Sequence, residues 1–173
     1  PVLQHALPFI KELVATTGLD CVATALYGEQ MLDIHREYSG QPASLSYGRG
    51  RPRPLFLGAA PKVILAQFGP VPLRRLLASR AAEVAAAGLP ADWPSQRRYY
   101  SRVRKAGHYV SQGELEAPLS AVAAPLRHAD GRVAGALSLV GTVQRMALID
   151  VPKLATLVMR AAGEVEARMA AAG

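Results

Sequence analysis

The sequence predicts an α+β domain built on an antiparallel sheet. Two pairs of apolar strands each surround a short turn, at Gly28–Glu29 and at Asp130–Gly131, and both ends of the chain show helical apolar spacing. The chain has 173 residues, of which 50% are hydrophobic, and this suits one domain with a substantial core. Hairpins separated by runs of helices favour an antiparallel sheet over a parallel one.

The elements of the first half follow from spacing and from turn residues. The first helix ends at Gly18, and its apolar positions are Leu3, Leu7, Ile10, Leu13 and Val14. The segment "LDCVATALYGEQMLDIHREY" is typical of two strands around one turn. Residues 39–54 are rich in Gly, Pro, Ser and Arg, which predicts a loop.

The second half is predicted to be helical, then a hairpin, then helical again. Proline at position 61 suits a helix start, and further helices are expected over 72–79, 81–88 and 93–106, the last one ending at Gly107. A short strand over 108–111 precedes the hairpin formed by "LSAVAAPL" and "RVAGALSLVG". An amphipathic helix begins at Val151.

Alternation along the second hairpin gives it two different faces. Leu137 and Leu139 share one face, which we expect to pack under the terminal helices, and Ala136, Ser138 and Val140 share the other. The small residues either leave room for a pocket or let a helix approach the sheet closely. From the residues alone, close approach is the simpler interpretation.

Charge indicates an anionic partner, which could be nucleic acid, another chain or a small acid, because the formal net charge is +7. The segment "SQRRYYSRVRKAG" could bind nucleic acid, but a helix that buries Tyr99, Val103 and Ala106 and solvates its charges explains it more simply. No acidic residue occurs between Tyr38 and Ala82, so the arginines near Gly50 could hold a carboxylate or a phosphate. These arginines are Arg49, Arg51 and Arg53.

Motifs for catalysis are missing from the sequence. The four histidines show no metal-binding spacing, and the single cysteine, Cys21, is expected to be a buried thiol rather than a nucleophile or part of a disulfide. There is no P-loop, no nucleophile elbow and no dinucleotide fingerprint. We therefore expect neither enzymatic activity nor a cofactor. No apolar run reaches the roughly 20 residues that span a bilayer, and we expect a cytoplasmic location.

Two stretches carry a resemblance to a known family. "RGRPRPLFLGAAPKVILA" resembles a Gly-x-x-x-Pro-Leu segment that leads into a helix, and "VRKAGHYVSQGELEAPLSAVAAPLRHADGRVAGALSLVG" resembles a series of Gly-Glu, Ala-Ala-Pro and Asp-Gly motifs. Together they are similar to the effector-binding domain of IclR-type bacterial transcription regulators. The resemblance implies a GAF-like fold, a curved antiparallel sheet flanked by helices on both faces. It also implies that residues 1–18 are the end of a linker helix, that residues 19–173 are the effector-binding domain, and that the N-terminal winged helix-turn-helix is absent from this chain.

The function implied is that of a ligand sensor. The domain is expected to bind a small carboxylate effector, with aromatic acids among the candidates, to form dimers or tetramers, and to alter operator binding by the missing DNA-binding domain. The alternative is a stand-alone GAF-like small-molecule-binding protein or enzyme. Membrane association is not expected.

The resemblance and the alternation together place a pocket between the small-residue face and the segment before the predicted helix at 61. The expected ligand-binding residues are Phe56, Ala59, Ala60, Glu114, Ala121, Ala123, Ala136, Ser138 and Val140. The backbone amides of Ala59 and Ala60 are expected to meet the acid group, and the arginine loop 49–53 to form part of the rim. Phe56, Pro61 and Val140 replace residues that supply hydrogen-bond donors in many members of the family. These replacements predict a more apolar effector than a two- or three-carbon oxo acid.

Overall fold

The computed structural model describes residues 2–40 and 52–173. Within these residues five strands form one sheet in which all neighbouring strands are antiparallel. The strands are Asp20–Tyr27 (β1), Gln30–Glu37 (β2), Tyr109–Gln112 (β3), Leu119–Arg127 (β4) and Val133–Thr142 (β5). Their order across the sheet is β2-β1-β5-β4-β3, so the two hairpins meet where β1 pairs with β5. The predicted fold class is confirmed.

The described part of the chain also contains seven helices. They are Val2–Thr17 (α1), Ala59–Leu65 (α2), Pro70–Ser79 (α3), Ala81–Ala86 (α4), Trp93–Ala106 (α5), Val143–Met146 (α6) and Val151–Ala172 (α7). The predicted turn at Gly28–Glu29 is confirmed, because Tyr27 pairs directly with Gln30. The single turn of α6, which Thr142 caps by accepting a hydrogen bond from the Arg145 amide, was not predicted.

Each face of the sheet packs against its own helices. Leu137 and Leu139 are fully buried in a core formed with α1 and α7, as alternation predicts, and Cys21 lies there as a buried thiol. On the opposite face α2 packs over β4 and β5, in a core that includes Ala123 and Ala136. The sheet is therefore covered on both faces.

The pairing of β1 with β5 depends on a glycine. A side chain at Gly135 would collide with the carbonyl oxygen of Thr24 on the neighbouring strand. The absence of a Cβ there lets the two hairpins join into one sheet.

The buried stripe of α5 differs from the prediction. Gln96, Tyr100 and Val103 are buried, whereas Tyr99 is half-buried and Ala106 is exposed. The reason is that the Gln96 amide donates to the carbonyl of Pro90 at 2.9 Å, so a polar residue occupies an inward position. A pattern of apolar residues cannot show this.

Among residues 2–40 and 52–173, no helix is both long enough and apolar enough to cross a bilayer.

Candidate functional site

A small cavity of about 30 Å³ lies between the sheet and the segment that begins α2. Its apolar and backbone lining comes from Val22, Gly58, Ala59, Ala60, Leu115, Leu119, Ala121 and Val140. Its polar lining comes from Asp33, Arg53, Ser111, Ser120 and Ser138. All five strands of the sheet thus contribute lining residues, and the chain around Gly58 and Leu115 provides the cover.

Arg53 enters this cavity from the edge of the sheet. Its backbone amide donates to the Met31 carbonyl at 2.9 Å, next to a bridge between Pro52 and Leu32, which fixes this segment alongside β2. The guanidinium Nη1 lies 3.1 Å from Asp33 Oδ1, and the Thr24 hydroxyl donates to the same carboxylate oxygen at 2.8 Å. Only 8% of the Arg53 side chain and 11% of the Asp33 side chain are exposed, so this is a buried ion pair.

Two polar atoms of the lining residues have no hydrogen-bond partner among the described residues. These are Nε of Arg53 and Oγ of Ser138, and both are buried. A buried donor without a hydrogen-bond partner destabilises the folded state by about 1–3 kcal/mol. Such groups are therefore rare in native proteins, and each calls for an explanation. The cavity therefore has unused hydrogen-bonding capacity from a cation and from a hydroxyl. By contrast, the Ser120 hydroxyl is satisfied, because it donates to the Ser111 carbonyl at 2.8 Å.

A second polar cluster lies beside the cavity. Lys62 of α2 is buried and pairs with Glu114, and the other carboxylate oxygen of Glu114 accepts from the Tyr109 hydroxyl at 2.7 Å. Tyr99 donates to Tyr109 in turn, at 3.1 Å. Burial, together with the hydrogen bond to the Glu114 carboxylate, raises the pKa of Tyr109 well above its usual value. Tyr109 therefore stays protonated and acts as a donor. Because Leu115 follows Glu114 directly, this cluster anchors the part of the β3–β4 connection that covers the cavity.

The structure brings together about half of the residues expected to bind a ligand. Ala59, Ala60, Ala121, Ser138 and Val140 line the cavity. The remaining ones lie outside the lining, namely Phe56, Glu114, Ala123 and Ala136. Phe56, Ala123 and Ala136 are packed in the core under α2, and Glu114 is engaged by Lys62 and Tyr109.

The arginine loop is only partly described. Arg49 and Arg51 lie outside the described residues, whereas Arg53 lines the cavity. Arg53 has no acidic neighbour in the sequence, but Asp33 compensates its charge in space. Of the replacements at 56, 61 and 140, Val140 alone lines the cavity, and Asp33, Ser111 and Ser120 add polar groups to the lining.

Sequence reasoning missed six of the lining residues, namely Val22, Asp33, Ser111, Leu115, Leu119 and Ser120. For Val22 the reason is topological. Val22 faces the cavity because it pairs with Ser138 across the join between β1 and β5. That join links residues more than a hundred positions apart, and no turn signal marks it. Once the join is known, alternation along β1 places Val22 and Thr24 on the same face as Ser138.

Metal binding has no support in residues 2–40 and 52–173, where no group of three or more His, Cys, Asp or Glu side chains is arranged to hold an ion.

Several solved structures of transcriptional regulators are similar in fold to this chain. The C-terminal domain of the E. coli transcriptional regulator KdgR superposes with a TM-score of 0.80, at 21% identity, covering 97% of this chain and 98% of that one. Thermotoga maritima IclR superposes with a TM-score of 0.87, at 17% identity, covering 97% of this chain and 68% of that one. An IclR homologue from Microbacterium hydrocarbonoxydans, complexed with 4-hydroxybenzoate, gives a TM-score of 0.81 at 23% identity, with 97% and 68% covered.

The family itself is shown by the sequence. The family model for the bacterial transcriptional regulator IclR C-terminal domain matches residues 1–167. The chain therefore belongs to the IclR family, as its C-terminal domain, and the resemblance drawn from the motifs is confirmed. Members of this family are bacterial transcriptional regulators. The curated proteins include no match to the chain.

Proposed function

We propose that this domain is the effector sensor of its regulator and that it binds a small organic acid in the cavity beneath Gly58. The observation that carries the proposal is the pair of buried, unpartnered atoms on the cavity lining, Arg53 Nε and Ser138 Oγ. A carboxylate is the ligand group that satisfies both, because it accepts hydrogen bonds from a guanidinium and from a hydroxyl at the same time.

The other lining residues determine which non-acidic part of a ligand the cavity can accept. Val22, Leu115, Leu119 and Val140 offer apolar contact, which suits an aromatic or branched aliphatic group. Asp33 already balances the charge of Arg53, so a second carboxylate on the ligand would meet a negative group. A monocarboxylic acid fits this arrangement best. The 4-hydroxybenzoate complex of the Microbacterium hydrocarbonoxydans homologue supports testing aromatic acids first.

Binding requires the cavity to enlarge. At about 30 Å³ it has room for water, whereas sites for small organic ligands measure about 300–1,000 Å³. Leu115 is the side chain whose movement would open it, and the Lys62–Glu114 ion pair holds the neighbouring residue in place. A ligand would thus favour an open state over the closed one, and such a shift is what a sensor must transmit.

Isothermal titration calorimetry with a panel of acids tests the proposal. The panel contains benzoate, 4-hydroxybenzoate, a branched aliphatic acid, pyruvate and a dicarboxylate. We expect the aromatic monocarboxylates to bind best, and Ser138→Ala to weaken binding by about 0.5–3 kcal/mol through loss of one hydrogen bond.

The matched control is Tyr100→Phe. The Tyr100 hydroxyl is also buried without a partner among the described residues, but it does not line the cavity. Tyr100→Phe should therefore leave the affinity unchanged. Equal effects of the two substitutions, or a preference for dicarboxylates, would contradict the proposed site.

We also propose that the domain self-associates as a dimer or tetramer, as the family resemblance implies. Light scattering coupled to size-exclusion chromatography measures this directly, and a monomeric mass at high micromolar concentration would contradict it.

A further inference from the structure

The positive charge of this protein is concentrated in one layer of helices. Residues 70–106, which span α3, α4 and α5, contain eight Arg and Lys residues against two acidic ones, a net charge of +6, while the whole chain carries +7. The cations are Arg74, Arg75, Arg80, Arg97, Arg98, Arg102, Arg104 and Lys105. A general preference for arginine across the chain would have spread this charge evenly.

The outward face of α5 presents the densest part of this charge. Arg98, Arg102 and Lys105 are spaced i, i+4 and i+7, so they lie in one line along the helix, and all three are exposed. The opposite face is fixed by Tyr100 and Val103, which are buried. Over seven residues this line is about 10 Å long.

In the part of the chain that the structure describes, no carboxylate lies within salt-bridge distance of Arg98, Arg102 or Lys105. No acidic residue occurs in α5, and of the two acids in the layer Glu83 pairs with Arg80. The other, Asp92, caps α5 by accepting from the Ser95 amide. Its hydrogen bonds to Ser95 lower its pKa, and the charge of Arg98 adds a smaller lowering, so Asp92 offsets part of the charge at one end of the face. Residues 41–51, outside the described part, contain no Asp or Glu that could pair with it.

We propose that the outward face of α5, defined by Arg98, Arg102 and Lys105, binds the phosphate backbone of double-stranded DNA without reading its sequence. Seven of the eight cations in the layer are arginine, whose planar fork matches phosphate oxygens. Three cations along about 10 Å can neutralise about three phosphates, which gives weak binding that depends strongly on salt. The family works on DNA, so this polyanion is the one that the regulator meets. The proposal is independent of the effector cavity.

Two other occupants fit this face less well. A second copy of the chain, related by a two-fold axis, would bring the same positive face against itself. A membrane surface is recognised by helices that combine cations with an exposed apolar side, whereas the apolar residues Tyr100 and Val103 of α5 are buried.

The test is binding of a fluorescein-labelled duplex of arbitrary sequence, about 20 base pairs long, measured by anisotropy between about 50 and 200 mM salt. The first variant is Arg98→Gln/Arg102→Gln/Lys105→Gln. It should weaken binding at low salt and reduce the slope of log K against log salt by about 3, since each phosphate that the protein no longer neutralises lowers the slope by about 0.9. Glutamine preserves helix propensity, and circular dichroism checks the fold.

The matched control is Lys11→Gln/Lys153→Gln/Arg160→Gln, which removes the same charge from exposed positions on α1 and α7. It should leave the slope within about one unit of wild type. Equal decreases in affinity for the two variants would show that only net charge matters and would overturn the proposal. So would the absence of DNA binding at the lowest salt, or tighter binding of poly-glutamate than of DNA, which would indicate an acidic protein partner instead.

Discussion

Removing the arginine of the buried ion pair should cost far more stability than removing an exposed one. In Arg53→Met, the Asp33 carboxylate keeps, among its hydrogen bonds to described residues, the one from the Thr24 hydroxyl, while it remains about nine-tenths buried. Breaking a buried pair from one side costs about 3–5 kcal/mol, because an uncompensated charge is left away from water. Methionine fills most of the space that the methylene groups of arginine occupy, so lost packing contributes little to this cost.

Urea unfolding followed by circular dichroism measures this cost, and a second substitution isolates its cause. Asp33→Asn removes the charge but keeps an oxygen that can accept from Thr24. Arg53→Met/Asp33→Asn should therefore be more stable than Arg53→Met by at least about 1 kcal/mol.

The control is Arg127→Met, which breaks the pair with Glu166 on an arginine that is 49% exposed. We expect it to cost at most about 1 kcal/mol. If Arg53→Met costs no more than Arg127→Met, or if the double variant is the least stable of all, the account of Arg53 and Asp33 is wrong.

Three further predictions concern the core. Leu137→Ala should cost about 2–5 kcal/mol in urea unfolding, because Leu137 is fully buried on the face opposite the cavity, and it should leave acid affinity unchanged. Ala136→Leu should cost about 1–3 kcal/mol, because Ala136 lies beneath α2, so a larger side chain overpacks the core there; an unchanged unfolding midpoint would contradict this placement. Burial raises the pKa of the Cys21 thiol from 9.0 to about 12, so above pH 9 the unfolded chain releases a proton that the folded protein retains. The contribution of Cys21 to the free energy of unfolding is therefore fully present below pH 9 and is lost as the pH rises above it. Between pH 8 and pH 10, wild type should lose on the order of 1 kcal/mol more than Cys21→Ala, and equal losses would show that the thiol is not buried.

Local signals in the sequence predict most of the fold. The two-residue turn between Tyr27 and Gln30 and the alternation along β5 depend on neighbouring residues alone, and both are confirmed. The same reasoning does not predict which residues of α5 are buried. Gln96 lies inside because its amide finds the Pro90 carbonyl, six residues away in a loop. A buried polar side chain needs a hydrogen-bond partner. Here the partner is a loop carbonyl, and its position is determined by how the loop folds.

The candidate site likewise contains some residues that local sequence signals predict and others that they do not. Ser138 and Val140 follow from alternation, because a strand determines which side chains share a face. Arg53 and Asp33 are 20 residues apart, and they meet because residues 52 and 53 join the edge of β2 through a single bridge and one hydrogen bond. Composition indicated that arginines in this segment lack local counter-charges, but it could not indicate which carboxylate would supply one.

The small-residue face of β5 both borders a cavity and lets a helix approach closely, at different positions along the same strand. At Ala136 the sheet is covered by α2, whereas at Ser138 and Val140 it borders the cavity. The boundary lies where α2 begins, after Gly58, whose φ of 91° belongs to the left-handed region that favours glycine. A Cβ on Gly58 would lie 3.0 Å from Arg53 Nη2 and 3.7 Å from the Leu115 side chain. These two side chains therefore cover the cavity at a position where the residue between them has no side chain. Any side chain at position 58 would strain the turn into α2 and press on the guanidinium. The closed form of the cavity therefore depends on one glycine, whose importance comes from contacts that are distant in the sequence.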